Sequence, residues 1–162
     1  MAAAVQGVRV VCNVHHDPGK VAVISGGGSG HEPAMAGFVG PGLLSAAVAG
    51  DVFASPSKRA VYEGIMKVTG KAGCLVVVLN YTGDRLNFGM AVEAARADGV
   101  SVEVTAVADD CGVPSPGING PRGIAGTMFV IKACCPPLPS LLLAAVTPLC
   151  WPCCCLPRMV AT

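Results

Sequence analysis

Charge is scarce in this chain and almost vanishes toward its end. Of 162 residues only 13% are Asp, Glu, Lys or Arg, aromatic residues make up 4%, and no acidic residue follows Asp110. Eleven basic and ten acidic side chains leave a net charge of +1 with no basic stripe, which argues against a nucleic-acid partner. MAAAVQG has no basic segment ahead of a hydrophobic core and so is not a secretory signal; it is too short to judge as an organelle-targeting peptide. Uninterrupted apolar runs are missing as well. The most apolar stretch, from Cys134 onward, is cut by Pro139, Pro148, Pro152 and Pro157, short of the roughly 20 residues that a membrane-crossing helix requires. The expectation is a cytoplasmic protein, long enough for one domain with a real core.

Cysteine is abundant but poorly placed for chemistry. Six of the nine lie at or after Cys134, and Cys12, Cys74 and Cys111 are spaced like ordinary small hydrophobes, so no disulfide framework is expected. Cys150, Cys153, Cys154 and Cys155 are too crowded to converge on one tetrahedral ion, and no metal site is expected. Residues 134–162 therefore read as an atypical Cys/Pro-rich apolar tail, and residues 1–133 as the domain.

The sequence spends its conformational freedom on glycine. In ISGGGSGHEP, Ile24 to Pro33, glycines stand at 26, 27, 28 and 30 immediately before His31 and Glu32. Glycine loses more backbone entropy on folding than any other residue, so such a tract needs positive φ angles or a close approach to its backbone. Neither common nucleotide motif fits. The dinucleotide spacing fails because His31 or Pro33 stands where the last glycine should be, and a Walker A loop would need Lys after Gly30.

The apolar run Val21–Ile24 reads as a buried strand that feeds the tract. Leu43–Ala49 fits either a helix or a strand. Ser55-Pro56-Ser57 breaks the chain before a helix over Lys58–Val68 that Thr69-Gly70 closes. Cys74–Leu79 is a second buried strand, followed by a helix over Leu86–Ala97 with Asp84 as its N-cap. A third strand covers Val100–Val107, and a last helix starts at Arg122. The alternation gives an α/β fold with a parallel or mixed sheet and flanking helices. It also delivers three polar loops, Ser25–Glu32, Asn80–Asp84 and Asp109–Asp110, to one sheet edge, where ligands of such folds bind.

On these grounds His31 is a candidate general base or hydrogen-bonding group, with backbone bonding in the loop as its structural alternative. Asp84 is either a cap or a carboxylate that receives a ligand hydroxyl. Asp109 and Asp110 fit substrate or cation ligands and also a solvent-exposed turn. His15 and His16 are expected at the surface.

Taken in order, ISGGGSGHEPAMAGFVG, GDVFASPS, NYTGDRLNFG and ADDCGVP with PRGIAGT resemble the substrate-binding domain of dihydroxyacetone kinases, from about Val21 to Lys132. The resemblance implies an α/β domain that binds dihydroxyacetone or a similar short ketose through Gly28, Ser29, Gly30, His31 and Asp84. His31 would assist as acid or base, and Asp84 would accept a substrate hydroxyl proton during phosphoryl transfer. It further implies a homodimer or a partner kinase subunit. ATP and Mg belong to full-length relatives, with no cofactor bound by this chain itself. Leu79 departs from a lysine found in some relatives, and Ile131 from a histidine. Similarity stops near Cys134, so a histidine that holds the ketone as a hemiaminal and the ATP-binding helical module are expected to lie outside the chain. By sequence order neither His15 nor His16 fills that role. The chain is then expected to be a truncated glycerone kinase domain, inactive alone; the alternative is a non-catalytic ketose-binding or regulatory subunit that pairs with a complete kinase.

Overall fold

A computed structural model describes residues 9–112 and 118–135. Five strands form one sheet in the order β1-β3-β2-β4-β5: β1 (Arg9–Cys12), β2 (Ala22–Ser29), β3 (Ala46–Val52), β4 (Cys74–Leu79) and β5 (Val102–Val107). β1 runs antiparallel to β3, and every other pairing is parallel. A 3-10 turn (Ala36–Phe38) links β2 to β3, α1 (Lys58–Val68) links β3 to β4, α2 (Thr82–Ala97) links β4 to β5, and α3 (Gly126–Cys134) follows β5.

Both faces of the sheet are covered, and successive strand residues divide between them. Ile24, Val48, Val76 and Val78 pack with Val61 and Ile65 of α1 and Phe88 and Val92 of α2. Val23, Ala47, Val77 and Val107 pack on the opposite side with Leu44 and with Val130 and Ile131 of α3. This is the period-2 alternation of a pleated strand, and burial on both sides explains why CLVVVL contains no polar residue. Helix α1 begins where Ser57 accepts the amide of Ala60 at 3.2 Å.

Several boundaries differ from the sequence reading. β2 does not stop at Ile24. It continues through the glycines, which pair with β3 in register Gly26↔Val48 and Gly27↔Ala49. A Cβ on Gly26 would stand 2.2 Å from the Val48 carbonyl oxygen, so the bare backbone is what lets β3 lie so close. The ambiguous Leu43–Ala49 segment resolves as strand β3, and the short edge strand β1 has no counterpart in the sequence reading. Asp84 is not an N-cap: α2 starts at Thr82, with Tyr81 preceding it, and Asp84 lies in the first turn. The last helix starts at Gly126 rather than Arg122, because Asp109 accepts the amides of Ile124 and Gly126, both at 2.7 Å, and anchors the approach to it.

α3 ends at Cys134, and Cys135 beyond it is buried. Residues 136–162, with Cys150 and Cys153 to Cys155, lie outside the described residues. No helix among the described residues is long and apolar enough to cross a membrane.

Two substitutions separate capping from core. Ser57→Ala should lower unfolding stability by about 1 kcal/mol through the lost cap. Phe88→Ala, at a fully buried ring, should cost about 3–5 kcal/mol. Urea denaturation followed by circular dichroism checks both, and equal losses would contradict the packing described.

Candidate functional site

The sheet opens at its middle. β2 pairs with β4 only from Ala22 to Ser25, whereas its pairing with β3 runs on to Ser29. The chain leaves β2 toward β3 on one side and leaves β4 toward β5 on the other. Such a divergence between neighbouring parallel strands creates a crevice at their carboxyl ends.

A cleft of about 670 Å³ occupies this place. Its floor is the backbone of Gly26, Gly27 and Gly28, and its polar pole is made by His31, Ser55 and Asp84. Pro33, Met35 and Phe38 from the β2–β3 connection and Ile124 and Met128 from the approach to α3 and its first turn form an apolar wall, to which Leu79, Phe53 and Tyr81 add. Leu79, the departure expected from the resemblance, is an apolar part of the wall. Ile131, the other departure, is fully buried in the core and does not line the cleft.

Gly27 presents an open backbone face to the cleft. A Cβ built on it would meet nothing closer than Asp84 Oδ2 at 3.9 Å and His31 Nε2 at 4.0 Å. The carboxylate and the imidazole therefore face one point and stand no more than about 8 Å apart. Asp84 is nearly buried at 9% exposure, and its Oδ1 accepts a hydrogen bond from Ser55 Oγ at 2.5 Å. Burial pushes the Asp84 carboxyl above its ordinary value, opposed by the Ser55 hydroxyl and the charge of His31.

The other candidates are placed differently. Gly28 lines the cleft, but Ser29 and Gly30 do not. Ser29 Oγ donates to the Gly50 carbonyl at 2.7 Å. The Gly30 amide, at a φ of 107°, donates to the Glu32 carboxylate at 3.1 Å, which holds the Glu32 carboxyl below its usual range. Asp109 is spent on the start of α3, and Asp110 accepts from Arg122 Nε at 2.9 Å and from the Gly112 amide, so the third loop serves structure and not the cleft. His15 is exposed as expected, but His16 is half-buried with Nδ1 3.2 Å from Ser45 Oγ.

Sequence reasoning missed two residues here. Ser55 was legible only as part of a chain break, because its partner is 29 residues away. Asn80, buried after β4, donates to the carbonyls of Asn119 and Pro121 and accepts from Arg85, tying the loop before α3 to the cleft. Two thiols are inert: burial pushes Cys74 and Cys135 up to about 12. Among the described residues no group of three or more His, Cys, Asp or Glu could hold a metal ion.

The Dak1 domain model matches residues 1–137. The chain belongs to the dihydroxyacetone kinase family. It corresponds to the N-terminal part of the family's ketose-binding domain. It is 58% identical over 125 residues to the dihydroxyacetone kinase of Citrobacter freundii, covering 77% of this chain and 22% of that enzyme. It is 54% identical over 129 residues to the dihydroxyacetone-binding subunit DhaK of a PTS-dependent kinase of Listeria innocua, covering 79% of this chain and 39% of that subunit. The crystal structure of the C. freundii enzyme in its native form matches with a TM-score of 0.77 and 56% identity over 82% of this chain and 24% of that one. The same enzyme has been solved with AMP-PNP and Mg2+. A dihydroxyacetone kinase operon co-activator, Dha-DhaQ, matches with a TM-score of 0.72 and 35% identity over 76% of this chain and 38% of that one. The chain thus spans between about a fifth and two fifths of the length of these relatives.

The raised Asp84 carboxyl fixes a pH dependence. A carboxyl that binds its proton more tightly in the folded state destabilises the fold once pH exceeds the unfolded value of 3.8, and the whole penalty is present above the raised folded value. Asp84→Asn keeps an acceptor for Ser55 and removes the buried charge. The variant should be more stable than the parent at pH 7, with the difference disappearing as pH falls toward 3.8. Urea titrations across that range check it; a variant less stable at pH 7 contradicts it.

Proposed function

We propose that the cleft binds dihydroxyacetone or a similar short ketose, as the sugar-holding part of a glycerone kinase whose phosphoryl donor comes from outside the described residues. The observation that carries this reading is the convergence of Asp84 Oδ2 and His31 Nε2 on the open face of Gly27. A ketose hydroxyl in that space reaches both groups. Asp84, its affinity for a proton raised by burial, is placed to accept that proton when the hydroxyl oxygen takes a phosphoryl group from the donor, whose leaving group departs with the donor outside the described residues. His31 donates to or accepts from a second oxygen of the sugar, and the amides at Gly27 and Gly28 lie along the ligand's length. The backbone of Gly30 and the side chain of Ser29 then act by shaping the turn that delivers His31, through their bonds to Glu32 and Gly50.

A single carboxylate beside one imidazole and the hydroxyls of Ser55 and Tyr81 is a poor cradle for Mg2+ and a nucleotide triphosphate, which would be held outside the described residues. In this reading the chain works as a homodimer or beside a kinase subunit that supplies the donor, and the domain extends through α3. A second reading, a ketose-binding regulatory subunit without catalysis, is favoured by one observation: the co-activator Dha-DhaQ shares the fold over 76% of the chain.

Isothermal titration with dihydroxyacetone tests the binding that both readings share. Gly27→Ala adds a methyl where no atom lies closer than 3.9 Å, so the fold should persist while the methyl occupies the ligand space and weakens binding by about tenfold or more. Gly28→Ala, whose Cβ would stand 2.7 Å from the Ala54 nitrogen, should instead lower the unfolding midpoint. Unchanged affinity in Gly27→Ala overturns the assignment. Adding a donor-supplying kinase subunit and ATP then separates the readings, since only the kinase reading yields dihydroxyacetone phosphate.

A further inference from the structure

The hydroxyl of Ser55 has no part in the chemistry above, yet the surrounding backbone is arranged to bring it to Asp84. Ser55 lies between β3 and α1, on a segment that glycines of β2, β3 and α2 allow to settle between the sheet and the start of α2. A Cβ on Gly28 would stand 2.7 Å from the Ala54 nitrogen, one on Gly50 2.1 Å from the Ala54 oxygen, and one on Gly83 3.3 Å from Ser55 Cβ. The segment is pinned at both ends: the Phe53 amide donates to the Ser29 carbonyl at 2.8 Å, and Ser57 caps α1. Ser55 is thereby held against the first turn of α2, with its Oγ 2.5 Å from Asp84 Oδ1.

An aspartate carboxylate turns about a broad, roughly two-fold torsion, so without a partner its oxygens exchange places or twist away. A hydroxyl that donates to one oxygen of the ionised group removes that freedom through a strong, charge-assisted bond. We propose that Ser55 is a positioning residue: by engaging Oδ1 it turns Asp84 so that Oδ2 faces the ligand space beside His31. The proposal deepens the ketose reading and rests on it for the purpose of the aligned oxygen, while the alignment itself is testable without any ligand.

The test follows Asp84 by carboxyl-carbon NMR in the ligand-free chain. His31 is the charged group that acts on Asp84 from across the cleft, so His31→Gln should raise the Asp84 titration midpoint in the parent. Ser55→Ala should raise it by itself through the lost hydrogen bond, and in that background His31→Gln should add a smaller rise, because Oδ2 is no longer held toward the imidazole. Ser55→Thr, which keeps the hydroxyl, should restore the full response. Dihydroxyacetone affinity should fall by about tenfold in Ser55→Ala and recover in Ser55→Thr. Should Ser55→Ala fail to fold, Ser55→Cys, of similar shape and with a weaker donor, carries the same comparison. A response to His31→Gln of equal size with and without the Ser55 hydroxyl overturns the proposal, and so does an Asp84 midpoint unmoved by Ser55→Ala. If the parent binds no ketose while the coupling persists, the ketose reading fails and the positioning role stands.

Discussion

The segment Phe53–Pro56 lies on the ends of β2 and β3 at distances that no side chain permits. The Ala54 oxygen stands 2.1 Å from where a Cβ of Gly50 would be, and its nitrogen 2.7 Å from that of Gly28. Phe53 adopts a φ of 51°, unusual for a bulky residue and of the order of 1 kcal/mol in strain, and its ring lies where a Cβ of Gly30 would be. The glycine tract is therefore first a seat for another stretch of backbone. Its open face toward the cleft exists because Gly26 and Gly28 meet backbone and Gly30 meets the Phe53 ring, whereas a Cβ on Gly27 would meet nothing closer than 3.9 Å.

That seat decides the electrostatics of the cleft. Closing the segment over the first turn of α2 removes Asp84 from water, which raises its carboxyl, and the same closure supplies the hydroxyl that partly offsets the cost. The polar pole remains small, and most of the remaining wall is apolar, including Leu79. A buried carboxylate in such a setting costs stability at neutral pH and gains basicity. This is the usual exchange at sites built to move protons.

The sequence announces elements whose signals are local. Helix α1 is legible to the residue because Ser57 caps it and Thr69-Gly70 follows it, and β4 because six apolar residues stand between polar breaks. The fold class and the edge carrying the first two polar loops follow from those. What remained hidden depends on partners distant in the chain. Glycines carry no strand signal, so the extension of β2 to Ser29 is visible only once β3 lies beside it. Four residues at an edge, Arg9–Cys12, are too few to show a period. Asp84 matches the local pattern of an N-cap, yet its oxygen is drawn to Ser55 and not to the helix amides. Asp109 and Asp110 pass equally well for ligands and turn acids until the amides of Ile124 and Gly126 and the guanidinium of Arg122 are seen to occupy them.

We propose that ketose recognition takes place over Gly27, between Asp84 and His31. Titrating dihydroxyacetone into the isotopically labelled chain and following its amide and side-chain resonances tests this most directly. The account predicts saturable shifts concentrated at Gly26 to Gly28, His31, Ser55 and Asp84, with β1 and the outer surface of α1 unaffected. Saturable shifts that leave Gly27, His31 and Asp84 unmoved while appearing elsewhere, or no saturable shift at all, would contradict it.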